Sequence, residues 1–144
     1  MDETLLRSLL KGPAPFQVYD EVDSTNRVVR AWAAQGAPHG AAVIALRQSA
    51  GRGRLGRAFY SPPGGLYLSV LVRRDITAPG SLTTLAAVAV LQAVQAVLQK
   101  DLCIKWVNDL LLDGKKVCGI LTESVVWDNA IQAAVVGIGI NVDR

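Results

Sequence analysis

The chain has 144 residues, a formal net charge of +3, 51% hydrophobic residues and 19% charged residues. This length predicts one domain, 1–144, and the composition is typical of a globular protein rather than a disordered one. We expect no apolar run to reach the roughly 18 uncharged residues of a membrane span. Residues 1–4 are acidic where an export signal would be basic, so a cytoplasmic protein without membrane contact is predicted.

Hydrophobic periodicity and turn residues predict a mixed α+β order of elements. The predicted elements are helix 5–10, strand 16–19, helix 23–36, strands 42–46 and 66–72, helix 81–100, strand 102–107, hairpin 110–112 with 116–121, and strand 131–142. This order predicts a largely antiparallel or mixed sheet with helices on one side. The most apolar stretch, 82–98, predicts a buried helix.

The two cysteines lie in apolar, strand-like runs. Cys103 and Cys118 are therefore predicted to be buried thiols, with a disulfide or metal pair as the alternative. The single histidine, His39, is predicted to lie in a loop. No His/Cys cluster has zinc-site spacing, so no protein-bound metal is predicted.

Positive charge is concentrated between residues 47 and 57, where Arg47, Arg52, Arg54 and Arg57 alternate with Gly51, Gly53 and Gly56. The glycines match a dinucleotide-binding spacing, but Pro62 and Pro63 follow before a helix could form. A Walker A loop is excluded because no Lys-Ser or Lys-Thr follows. A flexible anion-binding loop is favoured, and a solvated surface loop or a minor-groove DNA hook are the alternatives.

Two further stretches carry charged residues near predicted strand ends. Residues 105–109, Lys-Trp-Val-Asn-Asp, could bind a nucleotide and orient an amine, or could only form a turn. Lys116 would share a strand face with Cys118 and Ile120, and Lys115 would lie on the other face. Lys116 is therefore either at a sheet edge or in contact with a ligand anion.

These stretches form one ordered series between about Glu21 and Val142. The series is Asp-Ser-Thr-Asn, Gln-x-x-Gly-Arg-Gly-Arg-x-Gly-Arg, Lys-Trp-x-Asn-Asp, Lys-x-x-Gly-Ile-Leu-x-Glu and Gly-Ile-Gly-Ile-Asn. It resembles the catalytic core of biotin protein ligases, which implies a fold akin to class II aminoacyl-tRNA synthetases. Lipoate ligases are a sister group, but residues 64–69 lack the His-Asp pair expected of them.

The resemblance implies that biotin and ATP are substrates, that Mg²⁺ assists, and that the acceptor is a biotin carboxyl carrier domain of a carboxylase. The implied biotin-binding residues are Ser24, Thr25, Asn26, Gln48, Arg52, Gly53, Arg54, Lys116, Gly119 and Gly137. The implied nucleotide-binding residues are Arg52, Arg54, Phe59, Lys105, Asn108, Lys116 and Asn141. The implied catalytic residues are Lys116, Arg52 and Arg54, which neutralise charge, and Asp109, which orients the acceptor amine. No nucleic acid or membrane partner is expected.

Two departures from the family pattern lead to further expectations. Val107 stands where the family usually has proline, and the sequence stops soon after the Gly-Ile-Asn signature. We therefore expect a catalytic domain that lacks its C-terminal part and β-barrel domain. The alternatives are a biotin- or biotinyl-AMP-binding module without transferase activity, and a lipoate ligase relative. Apolar residues on both faces of strand 131–142 predict exposed surface and a homodimer.

Overall fold

In the part of the chain that the structure describes, seven strands form one mixed sheet at the centre of the molecule. The structure, a computed structural model, describes residues 1–74, 76 and 78–143. Its helices are α1 (Glu3–Leu9), α2 (Thr25–Ala34) and α3 (Pro79–Leu98), and its strands are β1 (Phe16–Tyr19), β2 (Ala42–Ala45), β3 (Gly65–Val72), β4 (Cys103–Lys105), β5 (Asp109–Leu112), β6 (Lys115–Trp127) and β7 (Ala130–Asn141). The strand order is β1-β2-β3-β7-β6-β5-β4. The β1–β2 pair is parallel and the other neighbouring pairs are antiparallel, which confirms the predicted mixed sheet.

Helices α2 and α3 cover opposite faces of this sheet. On β7, Val135 packs in one core cluster with Val29 of α2, whereas the next residue, Val136, packs in a second cluster with Ala87 of α3. Successive side chains of a strand point to opposite faces, so the two helices lie on opposite sides. The prediction of helices on one side was wrong, because β7 is apolar on both faces and each face needs a cover.

The middle of β7 is buried by this arrangement. Residues 133–136 are between 0% and 6% exposed, while Ile131 and Val142, near the strand ends, are 45% and 63% exposed. The expectation that strand 131–142 exposes a broad apolar surface was therefore wrong. Its two faces are covered by the helices of the same chain, so this strand gives no reason for self-association, and the homodimer stays a prediction.

Helix α3 is buried on one face only. Thr83, Ala87 and Val90 face the sheet and are buried, whereas Leu85 and Val97 are 65% and 81% exposed. The prediction of a buried helix holds for the sheet-facing side alone. By length and composition α3 would also qualify as a membrane span, contrary to the expectation from sequence, although core helices of soluble proteins pass the same test.

The two cysteines are free thiols in different environments. Burial raises the pKa of Cys118 from its ordinary value of 9.0 to about 12, and the charge of Asp109 adds to this effect while that of Lys116 opposes it. Cys103 is exposed, contrary to prediction, because β4 is the edge strand of the sheet.

We expect iodoacetamide to alkylate Cys103 but not Cys118 in the folded protein at pH 8, because the reactive form is the thiolate. Cys118 is protonated in the folded state until about pH 12 but ionises near pH 9.0 when unfolded. The stability that its neutral form contributes is therefore present below pH 9 and is lost between about pH 9 and 12. Intact-mass measurement on Cys103→Ser should show no label until urea is added. Labelling of this variant without urea would contradict the burial of Cys118.

Candidate functional site

A cavity of about 270 Å³ lies on the α2 side of the sheet, below the segment of alternating glycine and arginine. It is lined by Ser24, Thr25, Asn26, Gln48, Arg52, Gly53, Arg54, Leu55, Arg57, Ala58, Phe59, Asn108, Asp109, Lys116, Gly119, Ile120, Leu121, Gly137, Ile138 and Gly139. Five separate stretches of the sequence thus meet at one place, 24–26, 48–59, 108–109, 116–121 and 137–139. All the site residues that the sequence predicted lie here, except Lys105 and Asn141.

These two residues lie outside the cavity lining. Lys105 ends the edge strand β4 and is exposed. The side-chain nitrogen of Asn141 donates to the carbonyl oxygen of Lys116 at 3.4 Å, so Asn141 braces the strand that carries that lysine. Their contact with a nucleotide stays a prediction.

The first turn of α2 forms a polar wall of the cavity. The backbone N–H of Thr25 donates to Gln48 Oε1 at 2.9 Å, and Gln48 Nε2 donates to Ser61 Oγ at 2.8 Å. These bonds fix the orientation of the Gln48 amide and leave its second N–H for a ligand. Ser24 is the N-cap residue of α2, but its side chain makes no cap hydrogen bond although it is only 2% exposed. Its hydroxyl is therefore also suited to a ligand.

Sequence reasoning missed Ser69, a fully buried residue of β3. Its Oγ lies 2.6 Å from Asn26 Oδ1 and 2.7 Å from Thr25 Oγ1. Because Asn26 Oδ1 can only accept, Ser69 must donate to it. A lone serine in an apolar strand gives no signal in the sequence, since its partners lie 43 and 44 residues away.

Asn26 is anchored at both ends of its amide. Besides the contact with Ser69, its Nδ2 donates to Glu123 Oε2 at 2.7 Å. A Cβ at position 137 would lie within 3 Å of the Asn26 amide, so Gly137 is needed for this side chain to approach the sheet. Asn26 lines the cavity, but its amide already binds protein groups at both ends.

A β-bulge between β5 and β6 brings Lys116 to the cavity. The register shifts between Leu110 and Leu111, so the pairing skips Val117. A bulge of this kind interrupts the alternation of side chains along a strand. As a result, Lys116 Nζ lies 2.9 Å from Asp109 Oδ1 on the cavity face. No hydrogen bond of normal geometry reaches this buried oxygen within the described residues, so the contact is mainly an electrostatic one.

The predicted face of Lys116 was therefore wrong. Lys116 lines the cavity, and its contact with a ligand stays a prediction. Cys118 and Ile120 belong to the core cluster beneath α3, on the face of the sheet opposite to α2. A regular strand would have placed Lys116 on that side with them. The bulge gives Lys116 and Lys115 each the face that was predicted for the other.

The ring of Phe59 rests on a pair of glycines in the sheet. Gly119 and Gly139 are direct partners across β6 and β7. A Cβ at Gly119 would lie 2.6 Å from the ring, and one at Gly139 would also collide with it. Lys116 Nζ lies 5.5 Å from the ring centroid, within cation–π range. Gly139 was not predicted as a site residue, although the Gly-Ile-Gly repeat carried the signal.

The residues 51–59, which we call the Gly/Arg loop, form a short hairpin over the cavity. Phe59 N–H donates to Gly51 O at 2.9 Å, and Gly53 N–H donates to Arg57 O at 2.7 Å. Arg54 reaches across the cavity, where its Nη1 donates to Asn108 Oδ1 at 3.4 Å. Among the described residues, the basic side chains that line the cavity are Arg52, Arg54, Arg57 and Lys116, and one carboxylate, Asp109, lines it with them. This excess of positive charge favours an anionic ligand.

Residues 18–141 match the model of the biotin/lipoate A/B protein ligase family. The chain belongs to this family. Among curated relatives, the bifunctional ligase/repressor BirA of Bacillus spizizenii is 41% identical over 128 residues, which are 87% of this chain and 39% of that protein. The biotin--[acetyl-CoA-carboxylase] ligase of Mycobacterium tuberculosis is 38% identical, and the match covers all of this chain and 57% of that one.

Solved structures of biotin protein ligases share this fold. The Aquifex aeolicus enzyme in complex with biotin and ATP superposes with a TM-score of 0.79 at 34% identity, over 90% of this chain and 53% of that one. The Leishmania major enzyme in complex with biotin superposes with a TM-score of 0.77 at 31% identity, over 92% of this chain and 58% of that one. The chain thus spans about half the length of the family members it matches.

Proposed function

We propose that this chain is the biotin- and ATP-binding core of a biotin protein ligase. In this reaction biotin is activated to biotinyl-AMP and then transferred to a lysine of a biotin carboxyl carrier domain. The observation that carries the proposal is the combination of groups that line one cavity. Hydrogen-bonding groups of Ser24, Thr25 and Gln48 line it together with the cations of Lys116, Arg52 and Arg54. The neutral groups suit the ureido ring of biotin, and the cations suit a carboxylate beside a phosphate.

The first step joins two anions, so positive charge is the main requirement. A biotin carboxylate oxygen attacks the α-phosphorus of ATP, a new P–O bond forms, and pyrophosphate leaves. Lys116, Arg52 and Arg54 neutralise the charge that gathers on the phosphate oxygens. Mg²⁺ enters with the triphosphate as part of the substrate. The Gly/Arg loop excludes water, which would otherwise hydrolyse the mixed anhydride.

In the second step the acceptor amine attacks the acyl carbon of biotinyl-AMP, and AMP leaves. Asp109 lies beside Lys116 at the start of β5, where its carboxylate can orient an incoming ammonium or amine. The acceptor must lose a proton before it attacks. We propose that Asp109 positions this amine, in addition to holding Lys116.

The proposal is tested by mass spectrometry of a biotin carboxyl carrier domain after incubation with this chain, biotin and Mg-ATP. We expect one biotin on the acceptor lysine, and none on a carrier with that lysine changed to arginine. Pyrophosphate exchange measured in parallel isolates the first step. Exchange without transfer would favour a biotinyl-AMP-binding module, and exchange with lipoate but not biotin would favour a lipoate ligase relative.

We expect biotin with ATP to protect the Gly/Arg loop from trypsin. The side chain of Arg52 is about half-exposed, so it is open to cleavage. An anionic adenylate beneath the loop would order it and bind Arg52 and Arg54 directly. Peptide mapping over time measures the rate of cleavage after each arginine. Cleavage that is unchanged by the ligands but blocked by duplex DNA would favour nucleic-acid binding instead.

A further inference from the structure

Glu123 joins two parts of the cavity wall through a single carboxylate. Its Oε2 accepts a hydrogen bond from Asn26 Nδ2 at 2.7 Å, and its Oε1 lies 3.6 Å from Arg52 Nη1. The side chain is 22% exposed, whereas that of Arg52 is 53% exposed. The carboxylate thus connects the start of α2, which is buried, with the Gly/Arg loop, which is not.

The register of the sheet places Glu123 there. Strand β6 runs to Trp127, six residues beyond its predicted end at 121, and alternation gives Leu121 and Glu123 the same face. Leu121 pairs with Gly137 across β7, and the missing side chain of that glycine leaves the space through which Asn26 reaches Glu123. The position of Glu123 beside the cavity-lining residues Asn26 and Arg52 is therefore set by the sheet and not by the loop.

The cations around the cavity repel one another, and the carboxylate of Glu123 can offset this repulsion. When the Gly/Arg loop lies over an empty cavity, its arginines and Lys116 are brought together without a ligand anion to neutralise them. Like charges that approach in this way oppose closure of the loop. Glu123 supplies a counter-charge that the sheet holds 3.6 Å from Arg52, beside the cavity lining.

We infer that Glu123 is a positioning residue, which holds the Gly/Arg loop over the cavity through Arg52 and fixes the amide of Asn26. This inference rests on the proposed function only where it concerns catalysis. With Glu123 in place, biotin meets an ordered cavity. Without the Glu123 carboxylate, part of the free energy of biotin binding is used to order the Gly/Arg loop, and the apparent affinity for biotin is weaker.

Two substitutions separate the two contacts of Glu123. In Glu123→Gln the side-chain oxygen can still accept from Asn26, but the neutral amide no longer attracts Arg52. Glu123→Ala removes both contacts. Glu21→Gln is the matched control, because Glu21 forms an ion pair of 3.3 Å with Arg47 outside the cavity lining.

The first measurement is trypsin cleavage after Arg52 in the ligand-free protein. We expect the rate of cleavage after Arg52 to increase about two- to five-fold in Glu123→Gln, because the substitution removes a partly exposed ion pair. The Glu21→Gln control should be cleaved after Arg52 at the parent rate. If Glu123→Gln is also cleaved at the parent rate, Glu123 does not hold the loop and the inference is wrong. This arm uses no ligand, so it stands even if the chain does not bind biotin.

The second measurement is the KM for biotin and kcat in pyrophosphate exchange. We expect Glu123→Gln to raise KM several-fold with kcat within about two-fold of the parent, because the adenylate itself orders the loop later in the reaction. In an Arg52→Ala background the same substitution should have no further effect on KM. An undiminished effect in that background would overturn the inference. Absence of any biotin binding by the parent chain would instead refute the proposed function.

Discussion

Replacing Lys116 with alanine is expected to reduce adenylate formation by about 30- to 1,000-fold, or on the order of 2–4 kcal/mol of transition-state stabilisation. The reason is positional, since the bulge at Val117 directs this ammonium to the cavity, 2.9 Å from Asp109 Oδ1. Lys115→Ala is the matched control, because it removes an equal charge from the adjacent residue. We expect the control to retain the parent rate of pyrophosphate exchange.

One side effect of this substitution must be separated from catalysis. Without Lys116, the carboxylate of Asp109 loses the cation beside it, and an unpaired buried charge destabilises a fold. The double variant Lys116→Ala/Asp109→Asn removes that charge, so it should regain thermal stability but not activity. If Lys116→Ala and Lys115→Ala reduced the rate of pyrophosphate exchange equally, Lys116 would have no special role in adenylate formation.

Gly137→Ala is expected to abolish detectable biotin binding and to lower the free energy of unfolding by about 1–3 kcal/mol. The new Cβ would lie within 3 Å of the Asn26 amide. Asn26 cannot move aside without breaking its bonds to Ser69 and Glu123, and Ser69 is fully buried. A displaced amide would therefore leave buried polar groups without partners and would intrude on the cavity.

The control for this prediction is Gly80→Ala on α3, where an added Cβ meets nothing within 4 Å. Alanine is favoured over glycine in a helix, so this variant should be as stable as the parent or slightly more stable. Urea denaturation and titration calorimetry with biotin measure the two effects. A Gly137→Ala protein with parental stability and affinity would show that Asn26 is not held as described.

Local patterns predicted the elements because each depends on neighbouring residues. The strand Phe16–Tyr19 and the α+β order were correct for this reason. The end of β6 was misplaced because Thr122, Glu123 and Ser124 interrupt an apolar run. In the folded chain Glu123 contacts the polar side chains of Asn26 and Arg52 rather than apolar core, so a polar residue there is compatible with a strand.

The site was predicted as a set of residues but not as a geometry. Motif order identified Gln48, Arg52 and Lys116, which the fold brings to one cavity. It could not reveal the bulge, because the register shift depends on how β5 pairs with β6. It also could not reveal Ser69, whose role depends on partners that only the folded sheet brings near.

Because two lysines precede the bulge in β6, a redesigned hairpin without the bulge would exchange their positions. If β6 were straightened so that Val117 paired normally, Lys116 would turn to the α3 side and Lys115 would turn to the cavity side. The cavity would keep its positive sign, but the ammonium would start about 3.3 Å further along the strand, towards the turn. A scaffold could thus preserve composition, charge and fold and still lose the contact with Asp109.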